Sequence, residues 1–136
     1  MKTAVIVLLV LFGVQAAHAQ SAEFTVEKKS AIVDNLTVGI KSENRGLHTS
    51  ATFVLSDLVN DGYLEADDAS KAMIPLLKLL KNGETEEERI AAAVALYQLG
   101  NNIGIYHLRG VARYDDNEKV ARVCNCLLYT SPSPRD

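Results

Sequence analysis

One acidic stretch of the chain has residue types and spacing that suit a calcium ion. Residues 57–68 read Asp-Leu-Val-Asn-Asp-Gly-Tyr-Leu-Glu-Ala-Asp-Asp, with acids at the first, fifth and twelfth positions and Gly at the sixth, as in calcium loops between helices. The candidate ligands are Asp57, Asp61, Glu65 and Asp68. Val59 at the third position supplies no oxygen, and Asp57 falls in a predicted helix. An exposed helix end with its loop is therefore the alternative interpretation.

The remaining reactive side chains form no catalytic pattern. Beyond the first nineteen residues the histidines are His48 and His107, and neither has an acid at ligand spacing on an obvious helix face. No Gly-x-Ser-x-Gly sequence occurs, so we predict no catalytic residue and no cofactor. Tyr97, Tyr106 and Tyr114 could line a groove, since Tyr is favoured at interfaces, or lie buried where helices cross.

The two ends of the chain differ in character from its middle. Lys2, an apolar run over 4–14 and Ala17-His18-Ala19 are typical of a secretory signal peptide, so we predict cleavage after residue 19 and a periplasmic or secreted protein. Residues 20–28 are predicted to be a flexible lead-in. At the other end, residues 126–136 resemble the in-frame translation of a sequencing-library adapter. They are therefore interpreted as a non-native tail interrupting a helix that begins near 119.

The charge and cysteine content of residues 20–125 argue against a nucleic-acid-binding surface and a disulfide framework. Residues 20–125 carry 12 Lys and Arg against 16 Asp and Glu, a net charge of −4. A nucleic-acid surface would favour a basic stripe, so we predict no nucleic-acid partner. Without residues 126–136 only Cys124 remains, which excludes a disulfide framework and favours a buried small residue.

Helical patterns fill residues 29–125. Apolar residues recur every three or four positions over 31–40, 47–58, 68–81, 88–99 and 103–112. Pro75 lies inside the third pattern and predicts a bend there. Thr85 and Glu88 fit a capping box that starts the fourth helix, whose first acids are expected in solvent, and Gly100 ends it.

These patterns repeat along the chain. A shift of 41 residues carries Ala51, Leu55 and Leu58 onto Ala92, Leu96 and Leu99, and a shift of 32 carries Ala92 onto Cys124. Small residues at such positions allow one helix to cross closely over its partner. The sequence thus predicts stacked pairs of short helices.

The central unit resembles the HEAT repeat family, especially its short bacterial type. The first helix of the unit carries Pro75 and Leu77, and the second carries Arg89, Ala92, Leu96 and Leu99, at the family's spacing. The flanking units depart from it, because His48 and Ala121 replace Arg89 and no Pro corresponds to Pro75.

The resemblance implies an all-α solenoid of antiparallel helix pairs over residues 29–125, with about three repeats and the last truncated. It also implies a scaffold that binds another protein through stacked helices and has no catalysis of its own. One alternative is an accessory or regulatory factor for a lyase-type enzyme, as some short bacterial members of the family are. The other is a small calcium-responsive helical protein that uses the loop at 57–68.

Overall fold

The computed structural model describes residues 24–130, and this part of the chain is all-α without strands. It contains six α-helices and one short 3-10 helix over Asp68–Ala72. The α-helices are α1 (Val26–Ile40), α2 (Arg45–Asn60), α3 (Met73–Asn82), α4 (Glu86–Leu99), α5 (Asn102–Tyr114) and α6 (Glu118–Tyr129). Between Phe24 and Thr130 no helix combines the length and apolar character that crossing a membrane requires.

Most residues of the two chain ends, for which the sequence predicts a signal peptide and a non-native tail, lie outside residues 24–130. The signal peptide at 1–19, residues 20–23 of the lead-in and residues 131–136 of the tail lie outside the described residues. The lead-in is shorter than predicted, because α1 already begins at Val26 with Thr25 accepting a hydrogen bond from the amide of Lys28 at 3.3 Å. The last helix, α6, runs across the predicted boundary at residue 125 and ends at Tyr129.

Side-chain caps set the start of α4 as predicted. The amide of Glu88 donates to Thr85 Oγ1 at 3.2 Å, while Glu88 Oε2 accepts from the amides of Thr85 at 3.3 Å and Glu84 at 2.7 Å. At the other end Gly100 has φ 61°, the left-handed conformation that ends helices. The capping box and the Gly100 stop are both confirmed.

Pro75 lies in the first turn of α3, because this helix begins later than the sequence pattern suggested. Residues 68–72 form the 3-10 helix and α3 starts at Met73, so Pro75 is its third residue. Amides in the first turn of an α-helix have no partner within the helix. Pro75 therefore removes no hydrogen bond from α3.

The six helices pack antiparallel as three consecutive pairs around one core. The pairs are α1 with α2, α3 with α4 and α5 with α6; in addition α4 packs against both α2 and α6. The first helices of the pairs, α1, α3 and α5, touch one another only slightly. Packing among the second helices thus holds the pairs together and leaves grooves between the first helices.

The small residues predicted at helix crossings lie in this core. Ala51, Ala92 and Cys124 are all buried on the second helices of their pairs. A Cβ added to Gly39 would stand 2.8 Å from Ala51 Cβ, closer than side chains approach, so α1 and α2 cross closely there. At the first crossing a Gly and an Ala together allow the contact.

The buried face of α2 contains polar as well as apolar residues. Leu47, Phe53 and Val54 are exposed, whereas Thr52 and Ser56 are buried. Because α2 packs against both α1 and α4, its buried face is wide enough to include polar positions. The Thr52 hydroxyl donates to the carbonyl of His48 at 2.7 Å, which satisfies it inside the core.

Candidate functional site

The four predicted calcium ligands do not converge. Asp57 is exposed on α2, and Asp61 and Glu65 are exposed in the following loop. Asp68 Oδ2 accepts from the amide of Glu65 at 3.0 Å and lies 3.5 Å from Lys29 Nζ. Within residues 24–130 no group of three or more His, Cys, Asp or Glu side chains could hold a metal ion. The calcium hypothesis therefore gains no support from the geometry.

His48 has a carboxylate partner that local spacing gave no way to find. Its Nε2 lies 3.1 Å from Glu88 Oε1, forty residues further along the chain, and its Nδ1 lies 3.1 Å from the carbonyl oxygen of Ser42. Glu88 is buried, so the expectation that the acids at the start of α4 face solvent is wrong for this residue. The contact joins α2 to α4.

The His48 ring is held on both sides by atoms of the fold. A carbonyl oxygen only accepts, so His48 Nδ1 carries the hydrogen it donates to Ser42. Nε2 and Glu88 Oε1 are both buried and face each other at 3.1 Å, and Arg45 Nε lies 3.8 Å from the same oxygen. Both ring nitrogens therefore face atoms of the fold itself. The arrangement is suited to holding two helices together.

Arg89 forms a second, half-buried connection between three elements. Its Nε donates to the carbonyl of Leu80 in α3 at 2.7 Å, and its two terminal nitrogens donate to both carboxylate oxygens of Asp115, after α5. Asp115 also accepts from the amide of Asn117 at 2.9 Å. The hydrogen bonds from Arg89 hold the pKa of Asp115 below its usual value of 3.8, although burial acts in the opposite direction. Arg89 is thus an internal clamp.

The other repeat positions belong to the core and its border. The buried positions are Ala51, Leu55, Ala92, Leu96 and Leu99, and the half-buried ones are Leu58, Pro75 and Leu77. These residues pack the helix pairs together, as the repeat pattern requires. Apart from Pro75 and Leu77, which also line grooves, they do not point to a binding surface.

The two cysteines differ in accessibility, which gives a test of the packing of α6. Cys124 is buried and Cys126 exposed. Burial, with a smaller effect from the charge of Asp115, raises the pKa of the Cys124 thiol to about 11. We expect a thiol reagent such as dithionitrobenzoate to modify one cysteine rapidly in native protein and the second only after unfolding. Mass spectrometry of the Cys126→Ser variant is the control, and rapid modification of Cys124 there would contradict the buried position.

A large groove lies between α3 and α5. It has a volume of about 980 Å³. Its apolar lining includes Ile74, Leu77, Tyr106, Val111 and Tyr114. Three of these are strongly exposed: Ile74 and Tyr106 at 72% and Tyr114 at 82%. Large apolar side chains exposed together mark interaction surfaces more often than stray ones do.

The three tyrosines, which the sequence placed either in a groove or at buried helix crossings, occupy two kinds of position. Tyr106 and Tyr114 line the groove, whereas Tyr97 is half-buried against the core. His107 is also exposed at the groove, where its ring meets Tyr106 edge-to-face with centroids 5.7 Å apart. Helical spacing alone could not decide between a groove and a buried crossing for these tyrosines, because it does not show which of α1, α3 and α5 lie close together.

Four cations surround the same groove. Lys78 and Lys81 lie on α3, and Arg109 and Arg113 on α5. All four side chains are exposed, and none forms an ion pair with a carboxylate of residues 24–130. The one acid in the lining, Asp115, is paired with Arg89. Sequence reasoning missed this basic patch, although its signal was the three- and four-residue spacing of these cations along two predicted helices.

A smaller groove of about 580 Å³ lies between the α1–α2 turn and α3. Its charges are mixed, since Lys41 and Arg45 line it together with Glu43 and Glu84. Arg45 pairs directly with Glu84. This groove therefore offers neither a net charge nor an exposed aromatic cluster.

Comparison of the chain with protein-family models, curated proteins and solved structures gives no match. The groove between α3 and α5 combines exposed apolar residues with four cations that form no ion pair within residues 24–130. It is the candidate functional site.

Proposed function

We propose that this chain is an exported HEAT-like α-solenoid scaffold that binds another protein and catalyses no reaction itself. Binding takes place in the groove between α3 and α5. The observation that carries the proposal is the exposure of Ile74, Tyr106 and Tyr114 along one groove. Exposed aromatic residues beside a concave apolar floor are typical of the residues that dominate binding energy at protein interfaces.

The packing of the helices supports the solenoid part of the proposal. Each pair buries its apolar residues against the next through the second helices α2, α4 and α6. A repeat that cannot bury its core alone must stack on a neighbour, and stacking produces extended surfaces. Closely packed second helices separate the first helices, so a groove is a consequence of the stacking.

The buried polar residues support a role without catalysis. His48, Glu88 and Arg89 are each occupied by partners within the fold. A general base must reach a substrate with a free nitrogen or oxygen. In the large groove Arg89 is bound to Leu80 and Asp115. Beside the smaller groove His48 and Glu88 face each other. A regulatory role beside a lyase-type enzyme would use the same kind of protein-binding surface.

Crosslinking from the groove tests the proposal. A photoreactive benzoyl-phenylalanine at position 106 is expected to capture a protein of the envelope fraction, identified by mass spectrometry. The purified partner should then bind the Tyr106→Ser and Ile74→Ser variants at least about tenfold more weakly than the unchanged protein, because truncating a central aromatic or aliphatic anchor removes a large share of the binding energy.

The matched control places the same photoreactive residue at position 63, an exposed Tyr in the loop after α2. Capture at 63 and not at 106, or undiminished affinity of both serine variants, would show that the partner uses another surface. Each variant must keep the helical circular dichroism and melting temperature of the unchanged protein for the comparison to hold.

A further inference from the structure

We infer that the partner presented to this groove is an acidic amphipathic helix, with carboxylates on both sides of an apolar stripe. This deepens the proposed function and rests on it. The inference depends on the charges of the groove, which are opposite in sign to those of the chain as a whole.

The charge of the groove is unusual within this molecule. The full chain has a net charge of −3, yet the rims of the groove carry Lys78, Lys81, Arg109 and Arg113 without an acidic partner in the described range. The chain's other exposed cations are often paired: Arg45 with Glu84, Lys71 with Asp34 and Lys119 with Glu86. Four neighbouring unpaired cations repel one another, and an acidic ligand would relieve that repulsion.

The spacing of the cations fits the periodicity of a helix. Lys78 and Lys81 are three residues apart, and Arg109 and Arg113 four apart, so each pair lies on one face of its helix. The groove therefore has one basic rim on α3 and another on α5, with Ile74, Leu77 and Val111 in the lining as apolar residues. A helix with acids three and four residues apart on both flanks of an apolar stripe complements this pattern.

The apolar lining favours a protein helix over a nucleic acid. A nucleic-acid backbone would use the cations but would leave Ile74, Leu77 and Val111 without apolar contacts. The negative net charge of the chain also repels a long polyanion, whereas a short acidic segment brings only a few charges.

Designed peptides of about 18 residues, long enough to form a helix, serve as probes. The first carries Leu and Phe at helical spacing with Glu on both flanks. Two others replace every Glu by Gln or by Lys, and a fourth keeps Glu but replaces the apolar residues by Ala. Binding of each fluorescein-labelled peptide to the full chain is measured by anisotropy, with a single-stranded DNA oligonucleotide as a separate arm.

The Glu peptide is expected to bind at least about tenfold more tightly than the Gln peptide, and the Lys peptide most weakly. Raising salt from about 0.05 M to about 0.5 M should remove most of the difference between the Glu and Gln peptides, because salt screens exposed charges. The variant Lys78→Glu/Lys81→Glu sets two new carboxylates against Arg109 and Arg113, so the rims become about neutral and the preference for the Glu peptide should disappear. The control Lys28→Glu/Arg122→Glu makes the same change in net charge at exposed positions outside the groove and should leave the order unchanged.

The outcomes separate the inference from the function on which it rests. If the Tyr106→Ser variant loses peptide binding while charge reversal and salt have no effect, the groove binds protein but the acidic partner is wrong. If all peptides bind equally to unchanged and Tyr106→Ser protein, or none binds, the acidic helix is overturned, and the crosslinking result decides the fate of the groove. Tighter binding of DNA, or a dimer in sedimentation that Lys78→Glu/Lys81→Glu dissolves, would also overturn it, in favour of a nucleic acid or a second copy of the chain.

Discussion

Replacing Arg89 by Met is expected to lower the free energy of unfolding by about 2 kcal/mol, because its ion pair with Asp115 is half-buried. Such a pair lies between an exposed one, worth at most about 1 kcal/mol, and a fully buried one, whose disruption costs about 3–5 kcal/mol. The methionine keeps much of the apolar volume but donates no hydrogen bond. The carbonyl of Leu80 loses its side-chain donor, and the carboxylate of Asp115, which is only 13% exposed, keeps its charge without the guanidinium. Urea denaturation followed by circular dichroism measures the loss.

The loss has a defined pH dependence. The folded-state pKa of Asp115 is lowered by Arg89, so the pair contributes stability above the unfolded-state pKa near 3.8, and this contribution disappears as the pH falls through the lower folded value. The difference between unchanged protein and the Arg89→Met variant should therefore be full at neutral pH and shrink below pH about 4. A difference that stays constant down to pH about 2 would contradict the assignment to Asp115.

Two further variants distinguish the stability lost with the contacts of Arg89 from the stability lost when any cation is removed. Lys71→Met breaks the ion pair between Lys71 and Asp34, whose side chains are each 57% exposed. This variant should lose less than about 1 kcal/mol of unfolding free energy. The double variant Arg89→Met/Asp115→Asn removes both charges, so its loss should be smaller than the sum of the two single losses. Equal losses in Lys71→Met and Arg89→Met would show that burial of the pair has no influence.

The sequence was sufficient to predict the features that depend on local chemistry or on repetition. The capping box of Thr85 and Glu88 and the stop at Gly100 follow from backbone groups within a few residues. The burial of Ala51, Ala92 and Cys124 follows from their equivalent places in a repeat. Both kinds of signal are readable without knowing which helices touch.

Contacts between distant helices could not be predicted in this way. Nothing near Glu88 in sequence indicates that His48 will lie against it, and nothing near Arg89 indicates Asp115, twenty-six residues away. The groove depends in addition on the distance between α3 and α5, which is set by the packing of α4 and α6 behind them. Periodicity identifies which face of a helix is apolar, but a third helix decides whether that face is covered.

Ala92 is the core position at which a substitution best tests the close packing of helices behind the groove. Ala92 is fully buried on α4, the helix that packs against four others. Replacing it by Leu adds three carbon atoms where the helices already meet, and overpacking of this kind typically costs about 1–3 kcal/mol. We expect the Ala92→Leu variant to lose stability within this range, measured by urea denaturation and by a lower melting temperature.

A matched substitution distinguishes crowding from a change in helix propensity. Ala31 is exposed in the middle of α1, so Ala31→Leu makes the same chemical change in solvent and should alter stability by less than about 0.5 kcal/mol. The repeat pattern adds a second expectation: Ala51→Leu should also destabilise, because Ala51 occupies the equivalent place and lies against Gly39. If Ala92→Leu and Ala31→Leu were equally stable, helices would not cross closely at Ala92, and the packing of α4 behind α3 and α5 would be looser than the structure has it.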